Sequence, residues 1–182
     1  MELISDLLGG EKIRLTAYRR EDVVAMLQWN EDTGYRRMMD SAPATPATED
    51  AVWKGIGADM ATDKQVSFAI RPIGKTTLVG WVGLDEIEWP HRSASIGLGI
   101  GDPGSRRKGY GEEAMRLILG YGFRELNMHR IELTVFDYNE PAMKLYEKLG
   151  FTREGTSRER LRRDGTWYDM HQYAMLEDEW KG

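Results

Sequence analysis

A chain of 182 residues with 41% apolar side chains has room for one domain with a substantial core, and not for two large ones. It contains no cysteine, which excludes disulfides, thiolate metal sites and a cysteine nucleophile. The net charge of −5 is unevenly spread: residues 1–90 carry 10 Lys+Arg against 15 Asp+Glu, whereas residues 91–182 carry 15 of each with cations gathered at 106–108 and 158–163, a pattern that argues against a nucleic-acid partner.

No apolar run reaches membrane-spanning length and no charged-then-apolar leader opens the chain. A single soluble domain over 1–182, cytoplasmic and without a membrane partner, is therefore expected. After a short apolar-polar lead, Ile13-Arg14-Leu15 alternates as a strand, and Val23, Met26 and Leu27 recur at helical spacing after Arg20-Glu21-Asp22. Pro43 and Pro46 mark a loop, and Thr48 is placed to cap a helix running to about Met60. Trp29, Tyr35 and Trp53 flank that loop as candidates for a pocket wall or for packing.

Val66–Arg71 alternates as a strand, and a turn at Pro72-Ile73-Gly74-Lys75 leads into a second, Thr77–Glu88. Strict alternation there places Val79, Trp81, Asp85 and Ile87 on one face and Val82, Leu84, Glu86 and Glu88 on the other. After the turn at Pro90-His91-Arg92, Ser95–Ile100 reads as a third strand. The helix after Gly109 has Ala114, Leu117, Ile118, Tyr121 and Leu126 on its apolar side, with Glu112 and Glu113 suited to the positive end of its dipole. Ile131–Phe136 follows as a strand, and the crossover implies parallel pairing with Ser95–Ile100. Asn139 is the candidate cap of a short helix with Ala142, Leu145, Tyr146 and Leu149 on one face, stopped by Gly150. Phe151–Arg160 and Thr166–Leu176 form a hairpin about Arg163-Asp164-Gly165. The order is β-α-α-β-β-β-α-β-α-β-β.

Between strand and helix lie Gly101-Asp102-Pro103-Gly104, then Arg106, Arg107, Lys108 and Gly109-Tyr110-Gly111. Glycines admit close backbone approach, the helix start offers unpaired N–H groups, and the cations add charge, so the stretch suits a phosphate-bearing ligand. Gly99-Ile100-Gly101-Asp102-Pro103-Gly104 matches the spacing of the dinucleotide fingerprint but fails on context, because Pro103 and the basic run intervene before the helix. The glycine-lysine-hydroxyl ending of a nucleotide P-loop is missing.

Arg106-Arg107-Lys108-Gly109-Tyr110-Gly111 resembles the Q/R-x-x-G-x-G/A signature of the GNAT acetyltransferases. Asn139 through Phe151 is similar to that family's N-x-x-A-x-x-x-Y-x-x-x-G-F segment. The resemblance implies an α/β (α+β) GNAT fold: a mixed, mostly antiparallel sheet of about seven strands flanked by about four helices. It also implies acetyl-CoA as donor. Leu98, Gly99 and Ile100 would face the pantetheine arm, Arg106, Arg107, Lys108, Gly109, Tyr110 and Gly111 would hold the phosphates, Asn139 would contact pantetheine, and Tyr146 would be catalytic as proton donor to the leaving thiolate. No metal is implied.

His91-Arg92-Ser93-Ala94 and Asp164-Gly165-Thr166-Trp167-Tyr168-Asp169 most resemble the ribosomal-protein alanine acetyltransferases and the spermidine acetyltransferases. The implied acceptor is a protein N-terminal α-amine, with a polyamine or other small amine as the alternative and a non-catalytic acyl-CoA-binding protein as the reading from another class. The resemblance also implies a homodimer. Ser95 departs from relatives, which place an acidic residue there. Without a cysteine the amine is expected to attack the thioester directly. Glu86, Glu88 and Glu132 are the candidate bases, and His91, His129 and His171 stand apart from ligand-like partners.

Overall fold

The computed structural model describes residues 6–182, so the lead at 1–5 lies outside it. Its centre is one seven-stranded sheet of order β1-β2-β3-β4-β5-β7-β6. The strands are β1 (Ile13–Thr16), β2 (Val66–Pro72), β3 (Gly80–Glu88), β4 (Ser93–Gly99), β5 (Arg130–Phe136), β6 (Thr152–Arg163) and β7 (Thr166–Leu176). Every neighbouring pair is antiparallel except β4–β5, the parallel pair expected from its helical crossover.

Five α-helices occur among the described residues: α1 (Asp22–Glu31), α2 (Thr33–Met39), α3 (Glu49–Met60), α4 (Tyr110–Arg124) and α5 (Glu140–Leu149). The sequence pattern led to four. The additional helix, α2, begins where Asp32 turns the backbone out of α1 and its carboxylate accepts the Tyr35 N–H at 3.0 Å, an N-cap with no proline or glycine break before it to announce a new element. The caps read at Thr48 and Asn139 are present, accepting from Ala51 and Ala142. Gly150 stops α5 at φ 97°, and Asp164-Gly165, both at positive φ, make the β6–β7 turn.

The main core lies between the sheet and the α4/α5 layer. Ile13, Leu15, Ile70, Val82, Leu84, Ile96, Ile131, Leu133 and Val135 meet Ala114, Met115, Ile118, Leu119 and Phe123 there. Met115, Leu119 and Phe123 widen the expected stripe of α4, because the helix is covered by Trp180 as well as by the sheet; Phe123 and Trp180 rings are 5.6 Å apart. Gly122 admits this close approach, since a Cβ there would lie 2.7 Å from Ile131 Cδ1. A second cluster on the opposite face gathers Trp29, Ala69 and Leu78, with Tyr18, Tyr35 and Trp81 packed against them.

One sequence expectation is overturned in β3. Asp85 pairs with Ser95 but Glu88 pairs with Ser93, so β3 uses one residue more than β4 over that interval. This is a β-bulge, centred on Glu86 at φ 49°. It reverses the parity: Ile87, 3% exposed, joins Val82 and Leu84 in the core, while Glu86 and Glu88 turn to the face of Asp85 and Ser95.

Candidate active site

The parallel β4–β5 ladder lasts only from Ser93/Arg130 to Ser95/Glu132. Beyond it the strands splay, and the facing edges of Ile96–Gly99 and Leu133–Phe136 make no ladder bonds with each other. Open strand edges present unpaired N–H and C=O groups, a ready partner for an extended, amide-bearing ligand. The splay opens into a cleft of about 630 Å³ lined by β4 and β5, by Asn139, Ala142, Leu145 and Tyr146 of the α5 segment, and by Met38 and Met39 of α2.

Alternation along β4 gives the cleft two sides. Ala94, Ile96 and Leu98 turn toward α4 and α5, whereas Ser95, Gly97 and Gly99 turn toward Trp81 and α2. The second side is filled by aromatic groups. Trp81 Nε1 donates to Tyr35 Oη at 3.1 Å, and a Cβ on Gly99 would come within 2.2 Å of that oxygen. A Cβ on Gly101 would strike the Trp29 ring at 1.9 Å. Burial pushes Tyr35 up to about 12, so it stays a neutral phenol. Trp29 and Tyr35 thus serve packing behind the cleft.

Past β4, Asp102 caps a 3-10 turn at Pro103–Ser105, accepting from Gly104 N at 3.1 Å and from Ser105 Oγ at 2.5 Å. Gly109 then takes φ 83° as the N-cap of α4 and carries no capping side chain, leaving the first amides of a fifteen-residue helix uncapped. Gly111 lies against Leu98 and Ile100, which joins the strand end to the helix start.

The basic run divides. Arg107 and Lys108 are exposed beside Gly109. Arg106 instead turns inward: its guanidinium donates to the carbonyls of Ile100 and Gly101 at 3.1 Å, reaches Asp32 at 3.5 Å and stacks 5.4 Å from the Tyr35 ring. The Tyr35 N–H and then Arg106 hold the Asp32 carboxyl below the usual range despite partial burial. Arg106 therefore fixes the loop to α2 rather than offering a free cation.

At the other end of the cleft, Tyr146 packs edge-on to Phe151 and tilted against Tyr173, with centroids 5.9 and 6.2 Å away. Burial alone raises its pKa to about 12. Among the described residues no group hydrogen-bonds its hydroxyl, whereas the neighbouring Tyr173 hydroxyl donates to Glu147 at 3.0 Å. Asn139 lines the cleft while capping α5, and its amide nitrogen donates to Met38 O at 3.5 Å.

Asp85, Glu86, Glu132 and Glu154 gather at the narrow end, where β4 and β5 still pair. Glu132 and Glu154 are engaged by Arg130 at 2.8 and 2.5 Å; the Glu154 carboxyl is held low by this hydrogen bond, and the Arg130 pKa is raised in turn. Glu86 accepts from Ser95 Oγ at 3.0 Å. A carboxylate thus reaches Ser95 from the neighbouring strand, delivered by a bulge that alternation in the sequence conceals.

The C-terminal end of α2 straps the cleft to the β6–β7 hairpin. Tyr138 Oη donates to Arg37 O at 2.6 Å, Arg163 to Asp40 O at 2.7 Å, and Arg37 pairs with Asp164 at 2.7 Å. The family description matching the chain, Acetyltransferase (GNAT) domain, spans residues 12–152. Over 79 residues the chain is 40% identical to the uncharacterized N-acetyltransferase YnaD of Bacillus subtilis, a stretch covering 43% of this chain and 46% of that relative. With the uncharacterized N-acetyltransferase p20 of Bacillus licheniformis it shares 27% identity over 97% of this chain and 99% of the relative. The crystal structure of spermidine N-acetyltransferase from Vibrio cholerae in complex with CoA and spermine superposes with a TM-score of 0.84 at 26% identity, covering 93% of this chain and 98% of that one.

Proposed function

Because this chain belongs to the GNAT acetyltransferase family and is an acetyl-CoA-dependent N-acetyltransferase, we propose that it acetylates a primary amine carrying a second positive charge, with the donor in the β4–β5 splay and the acceptor entering beneath the α2 strap. The whole of 1–182 is read as one domain. The observation carrying the acceptor class is the bulge at Glu86, which turns Glu86 to the Ser95 side of the sheet, where Asp85 and Glu132 also line the cleft. Carboxylates at a cleft mouth attract polycations. The relative crystallised with CoA and spermine supports the same class.

On the donor side, the open edge of Leu98, Gly99 and Ile100 satisfies the amides of a pantetheine arm, as does Asn139 at the start of α5. The exposed Arg107 and Lys108, with the amides of Gly109, Tyr110 and Gly111, suit the phosphates. Arg106 serves that site indirectly by fixing the loop.

The amine nitrogen attacks the thioester carbonyl carbon, a C–N bond forms, and the C–S bond then breaks to release the thiolate. The proton lost from nitrogen passes to Glu86, and through it to solvent. Of the three candidate carboxylates, Glu132 is committed to Arg130 and Glu88 does not line the cleft, which leaves Glu86. Tyr146 donates a hydrogen bond to the departing sulfur. With a phenol near 12 against a thiol near about 8.5, full transfer to sulfur is uphill, so Tyr146 steadies the thiolate and the proton that neutralises it comes from the amine by way of solvent.

A protein N-terminal α-amine is the second reading, favoured because such an amine, with pKa near about 8, is deprotonated with little help from a base. Thiol release from acetyl-CoA separates the two, using spermidine, a monoamine of matching length and N-terminal peptides as acceptors. The polycation reading expects kcat/KM for spermidine at least about tenfold above the monoamine. Equal values, or a preference for peptides, would overturn it. Glu86→Gln is expected to lower kcat/KM for spermidine by about 10²-fold while leaving CoA affinity unchanged.

A further inference from the structure

The cradle proposed for the donor's phosphates is built from residues 106–111, yet the structure brings a cation to it from the far end of the chain. Lys12, immediately before β1, sends its ammonium over Gly109: a Cβ on that glycine would lie 2.9 Å from Lys12 Nζ. Gly109 is the N-cap of α4, held at φ 83°. The ammonium therefore sits at the start of that helix, whose first amides are uncapped.

The placement is fixed from both sides of the Lys12 backbone. The Glu113 carboxylate, in the first turn of α4, accepts from Glu11 N at 2.7 Å, Lys12 N at 3.0 Å and Ile13 N at 2.9 Å. Ile73 N donates to Lys12 O at 2.9 Å. Gly10 leaves room for this docking, since a Cβ there would lie 2.6 Å from the Glu113 carboxyl carbon. Glu113 spends its charge on three amides at the very place where it would otherwise neutralise the cradle. Among the described residues no carboxylate pairs with Lys12 Nζ. Arg106, by contrast, is paired with Asp32 and bound to two carbonyls.

We infer that Lys12 is a donor-binding residue that contacts the pyrophosphate of acetyl-CoA, replacing at the cradle the charge that Arg106 commits to the loop. The inference rests on the donor reading given above. An ammonium is a compact point charge with three donors, suited to bridging pyrophosphate oxygens above the helix amides. The 3′-phosphate and the pantetheine arm are not its partners.

Calorimetric titration tests this without turnover, using CoA, dephospho-CoA and pantetheine as ligands. Lys12→Gln keeps the backbone bonds that dock β1 on α4, and an unchanged melting temperature checks that it does. Its Kd for CoA and for dephospho-CoA is expected to rise by the same factor, about tenfold, with no change for pantetheine. Lys12→Arg is expected to keep most of the affinity, and the dependence of log Kd on salt is expected to be shallower in Lys12→Gln than in wild type. Unchanged CoA affinity in Lys12→Gln, or a loss confined to CoA and spared in dephospho-CoA, would overturn the assignment. Failure of the wild type to bind CoA at all would instead overturn the donor reading on which it stands.

Discussion

Tyr146 is distinguished from its neighbours by what its hydroxyl lacks. Tyr173 spends its hydroxyl on Glu147 and Tyr138 on the Arg37 carbonyl, but Tyr146, facing the same cleft as the open strand edges, has its ring packed and its oxygen without a hydrogen-bond partner among the described residues. A phenol kept only for packing would lose nothing as phenylalanine. Tyr146→Phe is therefore expected to lower kcat by about 10²-fold in thiol-release assays and to change the calorimetric Kd for CoA by less than twofold; unaltered kcat would return the residue to the core. Its titration gives an independent reading. Burial raises Tyr35 and Tyr146 to about 12, above the value of about 10 in an unfolded chain, so the stability they contribute is intact below pH 10 and is lost as pH rises toward 12. Burial also raises Tyr121, Tyr138 and Tyr173, so in an alkaline titration followed by tyrosinate absorbance Tyr35 and Tyr146 should ionise later than these three, and Tyr35→Phe with Tyr146→Phe should remove the last part of the rise.

Among the elements, α2 and the bulge in β3 shape the side of the cleft proposed for the acceptor. The Arg37–Asp164 pair is solvent-exposed and is expected to contribute little to stability. Its consequence should appear in acceptor binding: Arg37→Ala is expected to raise the acceptor KM several-fold with kcat and CoA affinity nearly unchanged, since the Arg37 side chain ties α2 to the β6–β7 hairpin, whereas α2 meets the donor loop and Asn139 through Asp32, Tyr35 and the Met38 carbonyl. An equal effect on CoA affinity would show that α2 acts on the donor site. Neither device was legible in the sequence, for definite reasons. The sequence pattern leaves 32–40 unassigned, because the seven residues of Thr33–Met39 are too few to show an apolar period, and the extra residue at Glu86 leaves period-two alternation looking intact while reversing which side it serves. What was legible had local causes. Asn139 and Gly150 bound α5 because cap and stop chemistry is written within a few residues, and Ala142, Leu145, Tyr146 and Leu149 share its packed face because of the helical period. The diversion of Arg106 to Asp32, and the arrival of Lys12 at Gly109, join residues 74 or more positions apart, where no local pattern reports contact.

At the scale of the whole molecule, α1 and α2 must be locked to a sheet whose other face carries α4 and α5. One buried ion pair does much of this. Arg71 of β2 and Asp22 at the start of α1, both with side chains 3% exposed, form two parallel bonds at 2.5 and 3.0 Å. Arg71 also donates to Thr16 Oγ1 and Thr76 O, and Asp22 accepts from Arg19 N, so every charged end is satisfied and four separate segments converge on it. Removing one partner leaves the other buried and uncompensated. Asp22→Asn is therefore expected to destabilise the fold by about 3–5 kcal/mol, read as a lowered urea midpoint at unchanged slope. An Asp22→Leu/Arg71→Met variant, which buries no lone charge, should lose clearly less than the sum of the two single losses. If the double loss instead equals that sum, the two side chains act independently and the clamp is packing rather than charge. Below its midpoint, Asp22→Asn should still bind CoA with wild-type affinity, because α4 and the cradle rest on the opposite face of the sheet and are tied to β1 through Glu113, not through Arg71.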